Sequence, residues 1–266
     1  MNVVRYLNPI RIWYLFKRDF NSKWKEHLIT IGAALGVFLL IMVLVSKVDT
    51  LSYEIHYVFV SLLLFVFGFI FASTAFKAAH KKLLNHDWLM LPASTLEKFI
   101  EKLLLYSVVV PVVSIILYWL MNLIGLLIIR LFLGEYFPVF NIADPAVWEM
   151  FGHYIIAVSV FILGAAWFKS NNFIKTIIAL VVFSSIISIL STLIVWLVFN
   201  DYFWPLVRGN FDISYNFNSG FDTEGLEALG TSSFYILKIV YFGLLAPVCW
   251  FGAWLKLREV EVKDGV

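Results

Sequence analysis

Few residues in this chain have the type and spacing that chemistry requires. Gly220 and Gly225 have the glycine spacing of a phosphate-binding loop, but Leu226-Glu227 stands where a lysine and a hydroxyl residue would have to hold the phosphates. Five histidines are scattered along the chain: His27, His56, His80, His86 and His153. Only His80 and His86 are close, and they miss by two residues the i,i+4 spacing that would put two metal ligands on one helical face. No Gly-x-Ser-x-Gly elbow occurs, so the sequence offers no serine nucleophile of that kind. Cys249 is the one cysteine and can build neither an internal disulfide nor a thiolate cluster. The sequence therefore predicts no catalytic, cofactor-binding or metal-binding residue and no nucleotide site in the chain itself. Glu149 and His153 lie one helical turn apart and could line a pathway or face lipid headgroups. Lys238 lies inside an apolar run, close enough to its end for the ammonium group to reach water. These three do not make the buried ionisable set on which ion-driven carriers depend.

The elements that hold these residues are apolar. Hydrophobic residues make up 62% of the 266 and charged residues 14%, against about a quarter charged in soluble domains. Mean hydropathy is +0.89. Six runs, at about 28–46, 57–76, 103–129, 147–168, 174–199 and 233–255, reach the roughly 20 residues that cross a hydrocarbon core as helix. Within lipid the backbone must satisfy its own hydrogen bonds, which favours helices over an open sheet. The expected fold is all-α: a polytopic membrane protein with six transmembrane helices. It is read as one transmembrane domain over 1–266, with three features outside the spans at 1–27, 77–102 and 200–232.

Lys and Arg counts orient the spans. Arg5, Arg11, Lys17, Arg18, Lys23 and Lys25 precede the first; Lys77, Lys81, Lys82, Lys98 and Lys102 follow the second; Lys169 and Lys175 follow the fourth; Lys256, Arg258 and Lys263 end the chain. Only Lys47, Arg130 and Arg208 fall in the other gaps. The positive-inside rule then predicts a multi-pass protein with both termini in the cytoplasm. The net charge of +2 is too small to suggest a nucleic-acid partner.

Asn8-Pro9 is a plausible helix start. From there Ile10, Trp13, Tyr14, Phe16, Phe20 and Trp24 fall on one arc, with Arg11, Arg18, Asp19, Ser22, Lys23, Lys25 and Glu26 opposite; Ile12, Leu15 and Lys17 break the pattern. Four turns of this periodicity favour an amphipathic helix lying flat at the membrane interface over plain flanking charges, with membrane lipid as its partner. The polar stretch 200–232 holds Asp201, Asp212, Asp222, Glu224 and Glu227 against a single base, Arg208, and its centre reads as an outer loop.

The gap 77–102 is the most informative. Leu83, Leu84, Trp88 and Leu91 recur near helical spacing before Pro92 interrupts. Ser94-Thr-Leu-Glu97 has capping-box spacing, so a new helix is expected to start at Ser94, with Glu97 reaching back, and run on into the third span. The expected form is a short helix, a sharp turn and a capped long helix. Trp88, Leu89 and Leu91 beside Asp87 could present a docking knob or pack back on the ends of the spans. The residues alone leave both open.

This order of elements, with "Leu-Met-Leu-Pro-Ala-Ser-x-x-Glu-Lys-Phe" leading into the third span, resembles the membrane (permease) subunits of type-2 ABC transporters, the ABC exporter permeases. The topology covers nearly the whole chain, while the motif covers about ten residues. The resemblance implies that the loop forms a helix coupling to a cytoplasmic ATPase, at positions Asp87, Trp88, Leu89, Leu91, Pro92, Ala93 and Ser94. Many family members have an acidic residue and a Gly-Thr pair upstream, where this chain has Asn85-His86-Asp87. The resemblance further implies a second permease copy or related permease as partner, ATP and Mg on the ATPase subunit, short interfacial or re-entrant helices before the last span, and a cell membrane that is a bacterial inner membrane. The other expectation is a non-transporting membrane scaffold or sensor-associated subunit, with no ATPase encoded beside it.

Overall fold

The computed structural model describes residues 7–45, 54–80, 86, 88–132, 134, 138–198 and 238–264. Among these every regular element is helical and none is a strand. The chain divides into two compact units, Met1–Phe173 with Leu245–Val266, and Ile174–Leu244.

In chain order the helices are α1 (Pro9–Val45), α2 (Glu54–Leu62), α3 (Gly68–Ser73), α4 (Lys77–His80), α5 (Thr95–Leu104), α6 (Val110–Phe132), α7 (Pro145–Trp167), α8 (Asn172–Val198) and α9 (Leu245–Asp264). Among the described residues π-helical turns interrupt the longer ones: Leu63–Phe67 joins α2 to α3, Leu105–Val109 joins α5 to α6, and Val240–Leu244 precedes α9. Among the described residues five helical stretches are long and apolar enough to cross a membrane: His56–His80, Thr95–Phe132, Pro145–Trp167, Asn172–Ile194 and Val240–Val260. They overlap the second to sixth runs of the sequence. The stretch 200–232 lies outside the described residues.

The run 28–46 takes a different form from the one expected. It continues α1 without interruption, so the amphipathic segment and the apolar run are one helix of 37 residues. At 1.5 Å per residue that helix is about 55 Å long, well beyond a hydrocarbon core of about 30 Å. Ile10, Trp13, Tyr14 and Phe20 are exposed, but Leu15, which broke the pattern, is buried. The reason is tertiary: α5 packs along α1, and its Lys102 pairs with Asp19, one turn beyond Leu15. The side chains of 22–28, Trp24 among them, lie outside the described set.

The core of the first unit is built from α7, which packs most extensively against α9 and also against α3, while α1 runs along both α5 and α6. Gly164, Ala165 and Ala166 of α7 and Ala253 of α9 are buried. Small residues let helix backbones approach closely where no water drives them together. Two glycines are needed for the same reason. A Cβ at Gly68 would overlap the ring of Tyr154, and one at Gly125 would press on the sulfur of Met42. In the second unit, Ile177, Val181, Phe183, Ile186, Leu190 and Ile194 of α8 are all exposed. A helix apolar all round belongs in lipid or in a protein interior.

Candidate functional site

The segment that leads into α5 is ordered by its own local chemistry. Met90 N–H bonds the carbonyl of His86 at 3.0 Å, which closes one helical turn. Pro92 cannot continue it, and Ala93 N–H turns back to Leu91 at 2.7 Å. Ser94 then takes an extended conformation and caps α5. Its hydroxyl accepts from Glu97 N–H at 3.2 Å, and Glu97 Oε2 accepts from Ser94 N–H at 2.8 Å, so both bonds of the capping box are made.

Glu97 does more than close its own helix. Its Oε1 accepts from the backbone N–H of Asn8 at 2.8 Å. Asn8 is itself the cap of α1, its side-chain oxygen accepting from Ile10 N–H at 3.0 Å. One carboxylate thus serves the N-terminal ends of two helices 89 residues apart in sequence, with Arg11 4.0 Å away. Helix N-termini carry unpaired N–H groups and positive partial charge, so a buried anion is well placed there. One turn further along, Lys102 pairs with Asp19 of α1 and lies 3.3 Å from Glu101. Arg18 bonds Asp19 from its own helix at 2.7 Å. Burial alone would raise the Asp19 carboxyl; the charge and hydrogen bond of Lys102, joined by Arg18, outweigh it and hold the group below the usual carboxylate range. The result is a two-point clamp between α1 and α5.

The residues singled out by the sequence divide in two. Trp88 is buried, edge-on to Phe76 at 6.4 Å and beneath the Lys98 ammonium at 5.3 Å, and Phe76 stacks on Phe99. Leu91 packs partly against the same core, and Leu89 and Ala93 are half-buried. Met90 stands out at 69% exposure, flanked by exposed His86 and Pro92. Asp87 lies outside the described residues. Glu149 is exposed and His153 half-buried on α7, and Lys238 is exposed in the second unit. Among the described residues no three His, Cys, Asp or Glu side chains gather to hold a metal.

A second polar cluster, which sequence spacing does not reveal, lies farther along α6. Buried His56 contacts the Pro138 carbonyl through Nε2 at 2.9 Å and the Tyr118 hydroxyl through Nδ1 at 2.8 Å. A carbonyl can only accept, so Nε2 carries the proton, and neutral His56 takes the tyrosine proton at Nδ1. Asn122 accepts from Phe140 N–H at 3.0 Å, and the Phe140 ring sits among His56 and Tyr118. Tyr57 donates to Asp144 at 2.6 Å, which with Ala146 N–H lowers the Asp144 carboxyl from its ordinary range. Asp144 also caps α7, with Pro145 in the first turn. His80 lies within hydrogen-bond distance of the last carbonyls of α7, those of Ala165 and Ala166. Comparison of the chain with protein-family models, with curated proteins and with solved structures found no match.

Proposed function

We propose that the chain is the membrane-spanning permease subunit of an ATP-driven exporter, with six crossings and both termini in the cytoplasm. Its partners are a cytoplasmic ATPase, which binds the ATP and Mg, and a second permease copy or a related chain. The observation that carries this reading is the segment 86–97. It ends in a capped helix that continues into an apolar helix, it is fastened to α1 through Glu97, and it leaves Met90 and Pro92 at the surface beside the buried Trp88. A force applied at such a surface would pass through α5 directly into α6 and, through Glu97 and Lys102, into α1. The sequence motif Leu89–Ser94 and the sixteen Lys and Arg residues predicted on one side support the same sidedness.

The test uses the exposed residue and spares the buried one. The tagged wild-type chain, purified from its native membrane, is expected to bring an ATPase subunit with it. Met90→Glu should weaken that association and leave thermal unfolding of the isolated chain unchanged. A wild-type chain that carries no ATPase partner, or a Met90→Glu chain that binds and stimulates one normally, breaks the reading.

A further inference from the structure

The long helix 95–132 contains a local fault with an identifiable cause. In a regular α-helix the Tyr106 carbonyl would accept from Val110 N–H; in a π-helical turn it would accept from residue 111. Here Val110 N–H goes to Leu105, and residue 111 is proline, which has no N–H. Neither backbone donor can therefore reach Tyr106. The Tyr154 hydroxyl donates to this carbonyl instead, at 2.9 Å, from α7. Tyr154 is fully buried, and the missing side chain of Gly68 makes room for its ring at the end of the other π-helical turn, Leu63–Phe67. The fault lies between two sets of contacts that α5 and α6 make with the same helix. Below it, Glu97 and Lys102 hold α5 to Asn8 and Asp19. Above it, Tyr118 and Gly125 of α6 meet Phe38 and Met42 of α1.

We propose that Leu105–Val109 is a hinge between α5 and α6, and that the Tyr154 hydroxyl is the lock that keeps it shut. Helix kinks arise at prolines and at π-helical turns, and this turn has both. With the lock made, α5 and α6 act as one rod. With it broken, an unsatisfied carbonyl in an apolar interior favours opening, and α5 can move with the segment 86–94 without moving α6. The hinge depends on the hydrogen bonds of this turn and on the Tyr154 hydroxyl, whether or not the chain works with an ATPase.

The test is hydrogen exchange of the amides in 104–112, measured by mass spectrometry on the full chain in lipid nanodiscs. Tyr154→Phe removes the hydroxyl and keeps the ring, and should speed exchange at least about fivefold, as expected for an unpaired buried acceptor. Pro111→Ala restores an N–H, which satisfies Tyr106 in the π register and frees Val110 N–H to do so in the α register. The same Tyr154→Phe change made in a Pro111→Ala chain should then have little effect. If Tyr154→Phe does not fold, Pro111→Ala alone decides: slower exchange in 104–112 than in wild type supports the hinge, and equal or faster exchange overturns it. Unchanged exchange in Tyr154→Phe, or an increase that Pro111→Ala does not relieve, also overturns it.

Discussion

The two polar clusters of the first unit solve one problem by opposite means. Around Glu97 and Lys102, charges are buried and each is answered by a charge or by a helix end. In the second cluster, the His56 imidazole and the Tyr118 hydroxyl are answered by neutral hydrogen bonds among aromatic rings. The first arrangement is strong only while every partner is present, because a buried charge left alone costs far more than a buried hydroxyl left alone. The second loses less when one member is removed. The charged cluster is therefore the fragile joint of the molecule and the neutral one its tolerant anchor.

Removing Lys102 should have the largest effect. Lys102→Met leaves Asp19 and Glu101 without their shared cation and should cost about 3–5 kcal/mol, read as a fall in the midpoint of thermal unfolding in detergent. Glu97→Ala should come next, at about 2–3 kcal/mol, since two helix ends lose their acceptor together. Glu97→Gln should recover part of the loss, because one oxygen remains to accept from a single N–H. Tyr118→Phe should cost less, about 1–2 kcal/mol, because it leaves the buried but neutral Nδ1 of His56 without a donor. If Tyr118→Phe proved as damaging as Lys102→Met, the contrast between the clusters would fail.

Acid separates them further. The folded Asp19 carboxyl titrates below its unfolded value, so its contribution is complete above the ordinary carboxylate range and is lost as pH falls through the lowered folded value. Spin labels on exposed Tyr14 and Met90 should report a fixed separation from neutral pH down through the usual carboxylate range, and a broadened one only in stronger acid. In Asp19→Asn the broadening should no longer depend on acid. A separation already lost near the ordinary carboxylate range would show that Lys102 does not hold Asp19 ionised.

How much of this could be read from the chain depends on the range of the interaction. Ser94 and Glu97 are three residues apart, and their mutual capping is a property of that short stretch; the sequence predicts it and the structure makes it. The other bond of Glu97 is to Asn8, and no local pattern names that partner. Asn8-Pro9 marks a helix start, but nothing in the sequence says which acid will meet it. Trp88 and Met90 show the same limit within one turn of chain. Both are large and apolar, and the turn before Pro92 decides that Trp88 faces Phe76 while Met90 faces out. His56, isolated among apolar residues, gives no sequence signal at all, because its partners come from 62 and 82 residues away.

The sequence by itself determined the helices. Runs of about 20 apolar residues, the cap at Ser94 and the breaks at proline act through neighbours a few residues apart, and the apolar surface is too large for water to solvate. Only the tertiary structure decided how those helices are fastened. It joined the amphipathic segment and the apolar run in one helix, α1, and gave the first third of that helix its partners on α5. It also gave the carbonyl left open before Pro111 a donor, the Tyr154 hydroxyl. The physical reason is common to both cases. A buried polar group must find a partner, but which one it finds depends on packing between segments far apart in the chain.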